Sequence, residues 1–273
     1  VAEPRRESES AWATLARCLL LWGALVRNSL VRQLEFRANF VGRIAVEAIW
    51  MAAQVLTYLA AYRYAETLAG WNRAEMTVFL ASLIISDGLF TILIYPNQNK
   101  FGQLLRTGQF DFYLLYPLPA LFLSFFRFVN VHGLINVALG AGLLAWQMAV
   151  DPVALNWALW LLYLGLGFVA ITCITIAVTA IGFWTTQTTN LVWLFFEIYR
   201  LGFRPENFYA PWMRRFLLSV FPAAFFFSVP VQLALGKLGG TWFAYPWLVT
   251  GATLAAVAWI WKRGLRLYEG ALS

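Results

Sequence analysis

Apolar residues in this chain come in long unbroken runs, and the polar residues collect between the runs. Strict alternation would mark half-buried strands, whereas continuous apolar stretches of about 20 residues mark helices that cross a membrane. The runs predict spans at about 40–62, 76–95, 121–148, 155–184, 188–203 and 243–261 within a single transmembrane domain, 38–273. The stretch 207–239 is interrupted by Pro222 and Pro230 and reads as a re-entrant pair of short helices, a form tolerated at membrane depth when protein surrounds it. Residues 1–10 are expected to be disordered, and their polar sequence VAEPRRESES predicts no cleavable signal peptide. Residues 11–37 read as an amphipathic helix lying on the membrane. Leu15, Leu19, Trp22, Val26 and Leu30 recur at helical spacing, flanked by Arg17, Arg27, Arg32 and Glu35, and the apolar part Cys18–Val26 is too short to cross. A signal-anchor is the alternative for this segment.

Between the second and third runs lies a polar, basic island, YPNQNKFGQLLRTGQFDFYLLYPLPA, at 95–120. Pro96, Pro117 and Pro119 bracket it, and the residue before a proline is biased away from helix. Gly108 breaks its middle, which predicts a short helix, a glycine turn and a second short helix that do not themselves span. Phe101, Leu104, Leu105, Phe110, Phe112, Leu114 and Leu115 supply apolar contacts, with Lys100 and Arg106 set against Asp111.

Composition agrees with the pattern. The chain is 61% hydrophobic and 12% charged, against roughly 25% charged for a soluble domain, and its mean hydropathy is +0.67. The fold class expected is an all-α integral membrane protein. A net charge of +7 on a soluble protein would suggest nucleic acid. Here the basic residues lie near span ends, so they read as orientation signals and contacts to anionic lipid, with no nucleic-acid partner expected. Seven arginines up to Arg43, the pair Lys100 and Arg106, and the tail residues Lys262, Arg263 and Arg266 are all expected on the cytoplasmic side. That requires an even number of spans and puts both termini in the cytoplasm; six spans satisfy it, with Arg204, Arg214 and Arg215 outside.

Few residues offer chemistry. Asp87 falls near the middle of the second run, where an ionisable group faces either a bundle interior or a wet cavity. It reads equally as a structural hydrogen-bonding group or a participant in conduction or gating. Arg43 and Glu47 read as a snorkelling pair one turn apart. His132, Asn136 and Gly140 share a helix face, and His132 is the only histidine, which points to packing rather than a metal site or catalytic dyad. Glu197 and Arg200 interrupt the fifth run. Ser82 with Ser86, and Thr172, Thr175, Thr179 and Gly182, form small-residue seams suited to close helix approach. Cys18 and Cys173 read as buried thiols. No phosphate-binding loop, zinc-protease motif or nucleophile elbow occurs, so no catalytic, cofactor or metal site is expected in this chain.

Four pieces carry a family resemblance: LEFRANF at 34–40, RTGQFDFYLLYPLP at 106–119, GFW at 182–184 and FPAAFFFSVPVQLALG at 221–236. In this order they resemble the membrane subunit of a type-2 ABC exporter, in the six-span subgroup found in bacteria. The resemblance implies a permease of the bacterial cytoplasmic membrane that pairs with a second permease, identical or related, and with two cytoplasmic ABC ATPase subunits holding ATP and Mg. It implies a coupling helix within 97–117, with Lys100, Phe101, Leu105, Arg106, Gly108, Gln109, Asp111 and Phe112 as coupling residues. It also implies re-entrant helices at about 207–239 that cap the outer end of the pathway. The expected activity is outward movement of an amphipathic or lipid-like substrate, with Asp87, His132, Asn136 and Glu197 as candidate pathway or gating residues. Two other readings stay open: a secondary transporter with Asp87 and Glu197 as ion sites, and a lipid-modifying membrane enzyme using Asp87, His132 or Glu197.

Overall fold

The structure is a computed structural model that describes residues 20–29, 31, 37–185 and 189–268. The disordered start expected at 1–10, most of the surface helix expected at 11–37 and the Arg43 side chain lie outside what is described. Residues 20–29 are helical and are called α1. Next come α2 (Arg37–Ala61), the short hairpin β1 (Thr67–Leu68) and β2 (Trp71–Asn72), and α3 (Arg73–Leu93). The hairpin pairs Thr67 with Asn72 and Leu68 with Trp71. Its two turn residues, Ala69 and Gly70, both have positive φ, 50° and 83°, the pattern of a tight two-residue hairpin turn. Asn72 then caps α3. Its Oδ1 accepts the Glu75 N–H at 2.8 Å while the Glu75 carboxylate accepts the Asn72 N–H at 2.8 Å, so two otherwise orphaned donors are satisfied.

The chain continues through α4 (Tyr95–Arg106), α5 (Phe110–Leu115), α6 (Ala120–Phe126), α7 (Gly133–Val150) and α8 (Trp157–Ala180). It ends with α9 (Thr189–Leu201), α10 (Pro211–Ser219), α11 (Ala223–Ala234) and α12 (Tyr245–Leu267). It is an all-α membrane protein. Among the described residues five helical segments are long and apolar enough to cross a membrane. The bent pair α10–α11 makes six if it counts as one span.

Glycine decides the closest packing. A Cβ on Gly88 of α3 would lie 2.9 Å from the Gly133 carbonyl oxygen, and one on Gly140 would lie 3.0 Å from that of Ala81. α3 and α7 therefore meet backbone to backbone, as small residues allow in membranes. Gly167 does the same for α8 against the Phe225 and Phe226 carbonyls of α11. Every residue of α11 is buried; α3, α8 and α9 pack around it. Ser82 takes part in the seam expected of it, accepting the Trp160 indole N–H at 2.8 Å and donating to the Val78 carbonyl at 2.7 Å.

Two expected spans take another form. The stretch 121–148 is not one helix: α6 and α7 are separated by residues 127–132. The break is stable because its backbone groups find partners on the neighbouring helices. The fully buried Asn97 side chain accepts the Phe128 N–H and donates to the Phe128 carbonyl, each at 2.8 Å. The Asn130 N–H donates to the Ile92 carbonyl at 2.9 Å. The fifth span expected at 188–203 is α9, with 13 residues. At 1.5 Å per residue that is about 20 Å, short of the roughly 30 Å of hydrocarbon. It stops where Gly202 closes onto the Ala223 carbonyl, at 2.7 Å from a Cβ built there. The 207–239 stretch contains α10 and α11, which meet at 93°.

Candidate functional site

Two places in the fold gather the candidate residues. The first is the α4–α5 element. α4 continues α3 with Ile94 between them and starts with Pro96 in its first turn, where a missing N–H costs nothing. Thr107 ends α4, Gly108 turns the chain with φ +68°, and α5 begins at Phe110. The left-handed φ at Gly108 is one that a side-chain-bearing residue adopts only with strain.

The inner face of this element is aromatic. Phe101 is fully buried, with ring centroids 5.1 Å from Phe125, 5.5 Å from Phe183, 5.7 Å from Phe110 and 5.8 Å from Trp261. Five segments thus meet at one side chain: α4, α5, α6, the turn after α8, and α12. Phe110 reaches Tyr268 edge-on at 5.1 Å. Burial and then the Asp111 carboxylate beside it raise the Tyr268 phenol to about 12. The outer face is also apolar: Phe112, Leu114, Leu115 and Tyr116 are exposed, Leu115 by 80%. Of the residues expected to meet a partner, Phe112, Arg106, Gln109 and Lys100 lie on the outside. Leu105, Gly108 and Asp111 are half-buried. Phe101, also expected among the coupling residues, is fully buried within the chain and anchors the element. Lys100 Nζ sits 3.2 Å from the centre of the Phe128 ring.

The second place is a cavity of about 800 Å³ between α2, α3 and α9. Its charged groups are Glu47, Asp87, Glu197, Arg200 and Arg204. Trp50, Phe90, Phe196, Tyr199, Phe203 and Tyr209 supply aromatic wall. The Tyr199 hydroxyl donates to Asp87 Oδ1 at 3.2 Å, and the Asn136 amide donates to Glu47 Oε2 at 3.3 Å. Arg200 and Glu197 pair at 3.0 Å on the exposed side. The structure therefore brings together Asp87 and Glu197 of the four expected pathway residues. Asn136 joins them only through Glu47. His132 does not line the cavity; it stands at the N-terminus of α7, its backbone N–H bonded to Asn130 Oδ1 at 3.1 Å. Glu47, read from sequence as one half of an interfacial pair, is a cavity residue, and its one signal was its position on the same run as Trp50 and Gln54.

Sequence reasoning missed a buried acid. Glu206, only 2% exposed, lies on the turn before α10 and accepts from the Gln232 amide at 2.7 Å and from the Ser228 hydroxyl. Ser228 and Gln232 one turn apart in the otherwise apolar α11 were the available signal. At the far end of the α3 helix from α4, Lys237 donates to the Gly70 carbonyl at 2.8 Å and to Glu75 at 2.5 Å, tying the hairpin to the end of α11. No group of three or more metal-ligating side chains occurs among the described residues.

The model of the family described as ABC-2 family transporter protein matches residues 48–271. No curated protein and no solved structure matches the chain.

Proposed function

The chain belongs to the ABC-2 family of transporter proteins, and from that premise we propose that it is the permease subunit of an ATP-driven exporter that moves an amphipathic or lipid-like substrate outward. ATP, with Mg, is hydrolysed on separate cytoplasmic ABC subunits that dock on the α4–α5 element. The observation that carries this reading is the two-faced character of that element. Its inner face is locked through Phe101 and Phe110 to α6, α12 and the end of α8, and its outer face leaves Phe112, Leu114, Leu115 and Tyr116 uncovered. A surface that is apolar, rimmed by Lys100 and Arg106 and tied to the short helix α6 and to the membrane helices α8 and α12 is suited to receive a push and pass it on. Solvent-facing aromatic and leucine side chains in such a cluster are what protein partners bury.

The cavity supplies the second half. α2 and α9 contribute to its lining, and none of the 44–61 window of α2 is buried within the chain. A second permease, identical or related, facing this side would place two such cavities across a shared pathway. The membrane is the bacterial cytoplasmic membrane, with α4–α5 on the cytoplasmic side.

Co-purification with the ATPase subunit tests the reading. Phe112→Ala and Leu115→Ala remove exposed apolar surface, and each is expected to weaken ATPase association by about ten-fold, or 1.4 kcal/mol, without lowering the melting temperature of the isolated subunit. Gly108→Val is expected to weaken association through the strained turn. Unchanged association and unchanged substrate-stimulated ATP hydrolysis in all three variants would remove α4–α5 from the coupling role.

A further inference from the structure

We propose that the cavity between α2, α3 and α9 takes amphipathic organic cations, recognised by Glu47 and Asp87 within an aromatic enclosure. This rests on the exporter reading and names the substrate class of the same site.

Carboxylates at membrane depth are retained where a counter-charge or a set of donors holds them. In the described structure Asp87 and Glu47 are held by neutral donors, the Tyr199 hydroxyl and the Asn136 amide. The cations that share the cavity are differently engaged. Arg200 is bonded to Glu197 at 3.0 Å on the exposed side, so that pair is self-neutralised, although Arg200 still acts on Asp87 at longer range. Arg204 lines the same cavity and also acts on Tyr58 and Tyr209, which leaves one guanidinium against the two carboxylates. Two acids from adjacent helices, Glu47 of α2 and Asp87 of α3, therefore line the same space. Their shared field favours a positive guest.

The walls point the same way. Trp50 meets Phe203 edge to face at 6.1 Å, and Phe90 stacks on Tyr199 at 5.6 Å, with Phe196 edge-on to Phe90 at 6.2 Å. Aromatic faces carry negative potential and attract a desolvated cation, while their area accommodates an apolar body. A space of about 800 Å³ is in the range of a drug-sized guest. An anionic lipid headgroup would find Arg200 and Arg204 on the same wall, but three carboxylates, Glu47, Asp87 and Glu197, outnumber them.

The test uses the permease with its ATPase in nanodiscs and two probes of one shape and opposite charge, tetraphenylphosphonium and tetraphenylborate. The cation is expected to stimulate ATP hydrolysis at a concentration about ten-fold or more below the anion. Asp87→Asn and Glu47→Gln, which keep shape and hydrogen bonding, are expected to raise that concentration about ten-fold each. Glu66→Gln, in the loop outside the cavity, is the control and is expected to match the wild type. Equal responses to the two probes, a preference for tetraphenylborate, or unchanged responses in both cavity variants would overturn the assignment. Phosphonium binding to the purified subunit alone, read by tryptophan quenching, separates the two readings. Binding that depends on Glu47 and Asp87 without any ATPase association would sink the exporter reading and keep the cation site. Absence of binding in the subunit and of stimulation in the complex would sink the cation site.

Discussion

A methyl group at Gly133 would lie 2.5 Å from the Gly88 carbonyl oxygen and 2.7 Å from the Ile92 side chain. That is inside the closest approach real side chains show, and the obstacle is backbone, which cannot swing aside. Gly133→Ala is therefore expected to push α7 off α3 and to cost about 1–3 kcal/mol, measured as a lower melting temperature in detergent. Gly142→Ala, on the open side of the same helix, is expected to be neutral or slightly stabilising. Part of this seam was legible: the shared face of Asn136 and Gly140 follows from helical spacing. Gly88 and Gly133 were not, because a glycine in an apolar run does not say which backbone lies opposite it. The burial of Phe101 was likewise not legible. It was expected to supply an apolar contact, but the rings that cover it include those of residues 125, 183 and 261, which the local pattern does not name.

Among the elements, α11 and the loop before α10 are tied together by Glu206. Its carboxylate accepts from both Ser228 and Gln232, so Glu206→Ala removes the acceptor of the Ser228 hydroxyl and one of the two acceptors of the Gln232 amide, which keeps its bond to Ser228. Each orphaned buried group costs about 1–3 kcal/mol, and a shift of the urea midpoint for the variant checks it. Glu206→Gln, which retains an acceptor oxygen, is expected to lose less. That 207–239 is broken into short helices was readable from its two prolines, and the short helix, turn and short helix of 95–115 from Gly108. The division of 121–148 was not readable, since hydropathy is blind to a buried Asn97 that makes a helical break harmless. The length of α9 was overestimated for a related reason: the apolar run continues to Phe203, but the helix is stopped by a backbone contact at Gly202.

At the scale of the whole molecule, orientation is the claim that the charges make and that labelling can test. Single cysteines at Gly239, beside the Lys237 tie, and at Gln109, in the α4–α5 turn, are expected to lie on opposite sides of the membrane. A membrane-impermeant maleimide should modify the first in intact cells and the second only after permeabilisation; the reverse pattern would invert the topology. The all-α class and the membrane setting were evident from run length alone. The cavity was not, because it assembles from three helices whose order and facing no local pattern encodes.

All twelve residues of α11 are covered by protein, and this bears on how the chain is built. A helix of that length reaches about 18 Å and offers lipid no surface, so it has no reason to enter the bilayer on its own. Its slot is walled by α3 and α8, which leave the ribosome earlier, and by Gly167, which lets the backbones meet. Assembly in the membrane is then expected to have an order: the α3–α7 pair and α8 insert first and form a socket, and α11 seats as a late plug. Substitutions that narrow the socket, Gly167 above all, would then act as biogenesis defects, lowering the yield of inserted protein.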